Sequence, residues 1–262
     1  MGTQGISSVL LNTRVYLPSL PSLTSSLTAA YRRVLRAPRE RGLLALPVLR
    51  LPGRNAWLDI GGASGQTVAA MRFYSESARI LSFEPNCFYV AKMRRRFRDD
   101  PGVCVQPIAL SSREGRFSLF IPVYKCCAFP DLGTSERDRA ANWLANRIRS
   151  YNPDDLMVLE LSCESRRLDG LSIEPELIKI DCRCDTTDIL LGALETVRKH
   201  RPVLVVENAL IGNSVLEQLA SAGYGAFCYA ENGLREVALG NRCDLLLPSD
   251  HVPDRSAVAQ LS

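Results

Sequence analysis

Histidine is almost absent from this chain, with two among 262 residues. His200 precedes Arg201-Pro202 at the end of a helix-compatible segment, where a positive charge suits the helix dipole, and His251 falls in the C-terminal tail. Neither reads as a general base. Long apolar runs are missing too. No stretch approaches the ~20 apolar residues that span a bilayer. The N-terminal apolar run is short and cut by Pro18 and Pro21, unlike a signal peptide. Charge of one sign is not in marked excess: the net charge is +4, which forces neither a nucleic-acid nor a membrane partner. Internal repeats and low-complexity tracts are absent. The nine cysteines lack the C-x-x-C spacing of a zinc site, since Cys182-x-Cys184 and the adjacent pair Cys126-Cys127 do not supply it. Odd in number and scattered, they read as reduced thiols of a cytoplasmic protein, with the vicinal pair open to oxidation.

What is present is an ordinary globular composition, 46% apolar and 23% charged, enough for one large α/β domain with an extension. Residues 1–54 read as an N-terminal extension with a helix over Thr24 to Arg36. Residues 55–250 read as the main domain, 251–262 as a tail. Short apolar runs suggest buried strands at Ala56–Ile60, Arg79–Phe83, Val103–Gln106, Arg116–Ile121, Leu177–Asp181, Pro202–Glu207, Tyr224–Tyr229 and Asp244–Leu247. Helix-compatible segments alternate with them at Gln66–Ser75, Asn86–Arg98, Thr186–His200 and Ser214–Ala222. That alternation implies a largely parallel sheet covered on both faces. Residues 123–155 break the rhythm and read as an insertion. The basic run from Lys92 to Arg98 reads as a solvated helix face.

The richest stretch is Trp57-Leu58-Asp59-Ile60-Gly61-Gly62-Ala63-Ser64-Gly65-Gln66, a strand that turns through glycines into a helix. Glycines let backbone approach a ligand closely. A dinucleotide site wants Gly-x-Gly-x-x-Gly so that a pyrophosphate can rest on the helix N-terminus. Gly61, Ala63 and Gly65 fit that poorly, and a carboxylate at Asp59 repels a pyrophosphate. It suits S-adenosylmethionine, which carries an ammonium and a sulfonium. Glu84, in Phe83-Glu84-Pro85-Asn86 at the end of the second strand, is placed to accept hydrogen bonds from ribose hydroxyls. Asp181, at the end of a central strand, is placed to orient an acceptor hydroxyl or take its proton. Glu207 ends the next strand on the same edge. Asp185 and Asp188 read better as a helix cap and a first-turn charge than as metal ligands.

The chain resembles the FkbM family of methyltransferases from about Ala56 to Pro248. The resemblance rests on Leu58-Asp59-Ile60-Gly61, Gly65-Gln66, Phe83-Glu84-Pro85-Asn86, Ile108-Ala109-Leu110-Ser111 with Gly115, Arg167-Leu168-Asp169, Ile178-Lys179-Ile180-Asp181, Ile189-Leu190 with Gly192-Ala193, Arg201-Pro202, Val205-Val206-Glu207, Gly223-Tyr224 and Leu247-Pro248, in that order. It implies a class I, Rossmann-like sheet of seven mostly parallel strands with helices on both faces. It also implies methyl transfer from S-adenosylmethionine, usually to an oxygen of a small molecule or sugar. Asp59, Gly61, Gly62, Ala63, Gly65, Gln66, Glu84, Pro85, Asn86 and Ala109 are then the cofactor residues, and Asp181, Arg183 and Glu207 the acceptor-side ones.

Two departures stand out. Ala63 replaces the family's usual Asn. After Lys179 and Asp181, the family's Glu-Gly-x-Glu gives way to Arg183-Cys184-Asp185-Thr186. Arg183 either pairs with Asp181 or faces the acceptor and favours an anionic one. Two other readings remain: a degenerate fold acting as a cofactor-binding or scaffold protein, and a nucleic-acid methyltransferase. The second lacks a base-stacking aromatic beside Asp181-Cys182-Arg183.

Overall fold

The computed structural model describes residue 15 and residues 41–49, 51, 55–182, 186–206, 211–230 and 233–252. The helix expected over Thr24 to Arg36 lies outside them. The chain divides into two compact units, one of residues 38–117 and 163–262, the other of residues 1–37 and 118–162.

The larger unit is built on an eight-stranded sheet. Five strands are parallel in the order β3 (Val103–Gln106), β2 (Arg79–Phe83), β1 (Ala56–Ile60), β8 (Pro175–Ile180) and β9 (Val203–Val206). β12 (Leu245–Pro248) joins β9 antiparallel, β10 (Tyr224–Ala230) joins β12 antiparallel, and β11 (Gly233–Val237) closes the edge as a hairpin on β10. The sheet is therefore mixed and has eight strands, where seven mostly parallel ones were expected. The extra strand is β11. Its five residues, Gly-Leu-Arg-Glu-Val, bury only Leu234, too little apolar pattern to mark a strand.

The core follows from alternation. Along β1, Leu58 and Ile60 pack on one face with Ile189 and Leu190 of α4 (Thr186–Leu191), Val197 of α5 (Leu194–His200) and Val215 and Leu219 of α6 (Asn213–Ser221). Trp57 packs on the other face with Val68 and Met71 of α1 (Gln66–Tyr74), Val90 and Met93 of α2 (Cys87–Arg96) and Leu43 and Leu46 of two short helical turns. Strands buried on both sides with helices on both sides give a Rossmann-like α/β architecture. The buried Trp57 indole N–H donates to buried Glu176 at 3.0 Å.

The single helix expected over Thr186–His200 is two. Between α4 and α5 the missing Cβ of Gly192 would sit 2.2 Å from the Ser111 carbonyl oxygen, so the backbone of the 111–112 segment packs where a side chain would otherwise stand. The Asp169 carboxylate restarts the helix by accepting the Thr196 N–H at 2.8 Å, the bond an N-cap residue would make.

The division between the units falls within β5 (Gly115–Tyr124) and β7 (Leu156–Arg166). In the larger unit, β7 pairs parallel with β4 (Ile108–Leu110). In the smaller unit, β5 folds back on β6 (Cys127–Ala128) through Lys125 and Cys126, both at positive φ (48° and 61°), as a two-residue hairpin requires. Its core is Tyr124, Phe129, Leu132, Leu144 and Ile148 with Val15. Tyr124 stacks on Tyr151 with ring centroids 5.2 Å apart. A short helix, α3 (Arg137–Asn142), follows.

Candidate functional site

The chain runs β1, β2, β3 outward in one direction, then returns to place β8 and β9 on the other side of β1. The order reverses between β1 and β8, and the carboxyl ends of strands flanking such a reversal form the ligand crevice of open α/β sheets. The residue after each strand continues the ladder. Gly61 N–H donates to Phe83 O (2.9 Å), Asp181 N–H to Ile60 O (3.0 Å) and Glu84 N–H to Gln106 O (3.0 Å). Gly61, Glu84 and Asp181 thus stand side by side on this edge.

The glycine turn is shaped by these converging strand ends. Gly61 has φ of +90°, and a Cβ on it would lie 2.2 Å from the Asp181 carbonyl oxygen. A Cβ on Gly62 would lie 2.2 Å from Ser82 Oγ and 2.9 Å from Asp59 Oδ2. Ala63 is exposed at a φ of 41°. Gly65 caps α1, which Gln66 opens with an exposed side chain. Arg96, reaching from α2, donates to the carbonyls of Ser64 (3.1 Å) and Gly65 (3.0 Å) on the outside of the turn.

Glu84 ties the turn to β2. Its Oε2 accepts the Ala63 N–H at 2.7 Å and its Oε1 the Asn86 N–H at 2.8 Å. It is only 6% exposed. Burial pushes its carboxyl above the usual range and the Asp59 charge adds to this, against the lowering effect of the two N–H bonds. Pro85 is half-buried, and buried Asn86 caps α2 by accepting the Phe88 N–H at 3.1 Å.

Asp59 lies beneath the turn, fully buried. Its Oδ2 accepts the Ser82 hydroxyl at 2.8 Å, and the Lys179 ammonium stands 3.9 Å from Oδ1. Lys179, 1% exposed, donates to Thr67 Oγ1 at 2.8 Å and reaches Asp181 Oδ2 at 3.3 Å. The Asp181 side chain is 53% exposed. Ala109 is buried on β4, where its backbone bonds the Cys163 thiol, which also feels the Glu84 charge. Burial raises that thiol's pKa.

Of the residues expected from sequence, Asp59, Gly61, Gly62, Ala63, Glu84 and Asp181 meet around the end of β1, with Gly65 and Gln66 at the start of α1 behind them. Ala109 lies on β4, bonded to the Cys163 thiol. Arg183 and Glu207 lie outside the described residues. Lys179, Thr67, Ser82 and Cys163 carry no assigned role in the sequence pattern, yet Lys179 is central. Its signal is present in Leu177-Ile178-Lys179-Ile180: a lysine inside an apolar strand is buried and must have partners.

Chemically, three carboxylates converge on this edge with one buried ammonium among them. Asp188 lies in the first turn of α4, where burial would raise its pKa but hydrogen bonds from Ser112 and Ser111 and the Arg113 charge bring it below the usual range. No cluster of three or more metal-ligating side chains occurs among the described residues. None of the helices searched, among the described residues, is long and apolar enough to cross a membrane.

The chain matches no family model and no curated protein. Among solved structures it is similar to the methyltransferase FkbM from Methylobacillus flagellatus KT, at 15% identity over 74% of this chain and 43% of that one, with a TM-score of 0.44. The chain spans less than half the length of that protein. It is also similar to the precorrin-6y C5,15-methyltransferase from Geobacter metallireducens GS-15, at 14% identity over 78% of this chain and 82% of that one, with a TM-score of 0.36.

Proposed function

We propose that the chain is an S-adenosylmethionine-dependent methyltransferase acting on an oxygen of a small molecule or sugar. The observation that carries this reading is the carboxylate set at the strand-order reversal. Glu84 grips the turn through one lone pair of each oxygen and keeps a second on each for a ribose diol. Asp59 and Asp181 add negative charge to the same edge, against one ammonium from Lys179. That donor set fits a cationic sulfonium ligand and opposes a pyrophosphate.

When bound, S-adenosylmethionine supplies an electrophilic methyl group on sulfur. Direct displacement at that carbon needs chiefly alignment of the acceptor and exclusion of water. Glu84 binds and orients the adenosyl group. Asp181, half-exposed beside Gly61, accepts a hydrogen bond from the acceptor hydroxyl and receives its proton as the new bond forms. Arg183 follows Asp181 by two residues in sequence, and an arginine beside the acceptor-side carboxylate favours an acceptor bearing a carboxylate or phosphate; Glu207 is the second acceptor-side candidate.

Calorimetry with S-adenosylhomocysteine and with NAD tests the cofactor. Micromolar binding of the first, about −8 kcal/mol, is expected. Binding of NAD with none of S-adenosylhomocysteine overturns the assignment. Label transfer from methyl-labelled S-adenosylmethionine to hydroxyl compounds with and without an anionic group tests the acceptor class.

A further inference from the structure

Lys179 touches both halves of the site. Its ammonium takes Thr67 Oγ1 at 2.8 Å, in the first turn of the helix that leaves the glycine turn, and Asp181 Oδ2 at 3.3 Å, on the acceptor side. It is 1% exposed and 3.9 Å from buried Asp59, so it has little room to move without disturbing all three. A second link runs through backbone: the space a Gly61 Cβ would need is filled by the Asp181 carbonyl. A ligand that presses on the turn therefore meets a rigid body that ends in the Asp181 carboxylate.

We propose that Lys179 is a positioning residue that couples occupation of the glycine turn to the Asp181 carboxylate, so that the acceptor-side group is set only when the cofactor is in place. The proposal rests on the adenosyl-binding reading of the turn. Its physical content is a coupling free energy between two sites carried by a continuous hydrogen-bonded chain, Thr67 to Lys179 to Asp181. Because such coupling is reciprocal, a change at Asp181 must also be felt in cofactor affinity.

The test uses the full chain with carbon-13 at the aspartate carboxyls, the Asp181 resonance being assigned from Asp181→Asn. S-Adenosylhomocysteine is the probe. In the wild type its addition moves the Asp181 resonance, and Asp181→Asn changes its Kd by about fivefold or more. Thr67→Val keeps the shape of the side chain and removes the acceptor of the Lys179 ammonium. In that background the resonance shift is lost and Asp181→Asn no longer changes Kd. Thr67→Ser restores the hydroxyl and both effects. A merely structural lysine would leave the ligand-induced shift the same in the wild type and in Thr67→Val. If the probe binds and the resonance stays still, or moves equally in Thr67→Val, the coupling is overturned and the adenosyl-binding reading stands. If the probe does not bind the wild type, both fall.

Discussion

Replacing Lys179 by Met tests the architecture of the site through stability alone. The ammonium is 1% exposed and faces Asp59, which is fully buried, at 3.9 Å. That distance makes the contact an ion pair rather than a hydrogen bond. Removing one partner of a buried pair costs about 3–5 kcal/mol, because the other charge stays buried without compensation. Asp59 would retain the Ser82 hydroxyl but lose the positive charge that faces it in the core. For a chain of this size each kcal/mol lowers Tm by roughly 2–4 °C, so a fall of about 6–20 °C is expected. The contact with Asp181 weighs much less, since that side chain is 53% exposed; Asp181→Asn should cost about 1 kcal/mol or less. Urea melts read these values at constant slope. The sharper arm is the double variant. Asp59→Asn with Lys179→Met removes both charges and should recover most of the single-variant loss. A loss under about 1 kcal/mol for Lys179→Met, or a double variant whose losses simply add, would refute the buried-pair account.

Other expectations follow from individual residues. Glu84→Gln should weaken S-adenosylhomocysteine binding by about 1.5–3 kcal/mol, read by calorimetry, since it removes a charged acceptor; unchanged affinity would remove Glu84 from the ribose. Because the Glu84 pKa is raised, its effect on stability is favourable below the unfolded value and lost as pH rises through the folded one. Wild-type ligand affinity should fall on acidification at a higher pH than an exposed glutamate would dictate, and Glu84→Gln should be flat in that window. Asp169→Ala should cost about 1 kcal/mol in denaturant melts by uncapping α5 at Thr196, and a neutral result would make that bond incidental. Burial pushes the Cys243 thiol up to about 12, so alkylation near pH 8 should label exposed Cys87, Cys104 and Cys126 first and leave Cys243 until unfolding. Peptide mass analysis showing Cys243 labelled as fast as Cys104 would contradict its burial.

Much of the large sheet is legible in the sequence because its parallel strands are buried on both faces and read as short apolar runs. Ala56–Ile60 and Arg79–Phe83 have the expected bounds. Leu156–Arg166 does not announce itself. Its leucines and glutamates favour helix by composition, and only the apolar–polar alternation from Leu159 to Glu164, which the burial follows, marks it as a strand. The need for glycine at 192 is likewise illegible, because it depends on where Ser111 runs, eighty-one residues away in sequence. At the site, Asp59 is marked by preceding the glycine turn and Glu84 by ending the second strand. Lys179 was marked only as a cation out of place, and its partners come from α1 and β1, which no local pattern joins to β8.

The glycines themselves carry a different meaning from the one their spacing suggests. A glycine-rich turn after a strand invites the reading that ligand fills the space of the missing side chains. At Gly61 and Gly62 that space holds the Asp181 carbonyl and the Ser82 hydroxyl, so these two positions are fixed by the meeting of β1, β2 and β8 with or without a ligand. The residue that faces outward is Ala63, and it is held at a φ of 41° that an alanine adopts at a cost of roughly 1–2 kcal/mol. What holds it there is its own N–H, donated to Glu84 at 2.7 Å. The strain and the buried carboxylate thus sit in one interaction, each unfavourable in isolation and each compensating the other. An unfavourable φ joined to a carboxylate whose pKa is raised is the kind of local conflict that folding alone does not require. On the proposed reading of this turn, the ligand is met by the Ala63–Glu84 pair and not by the glycines.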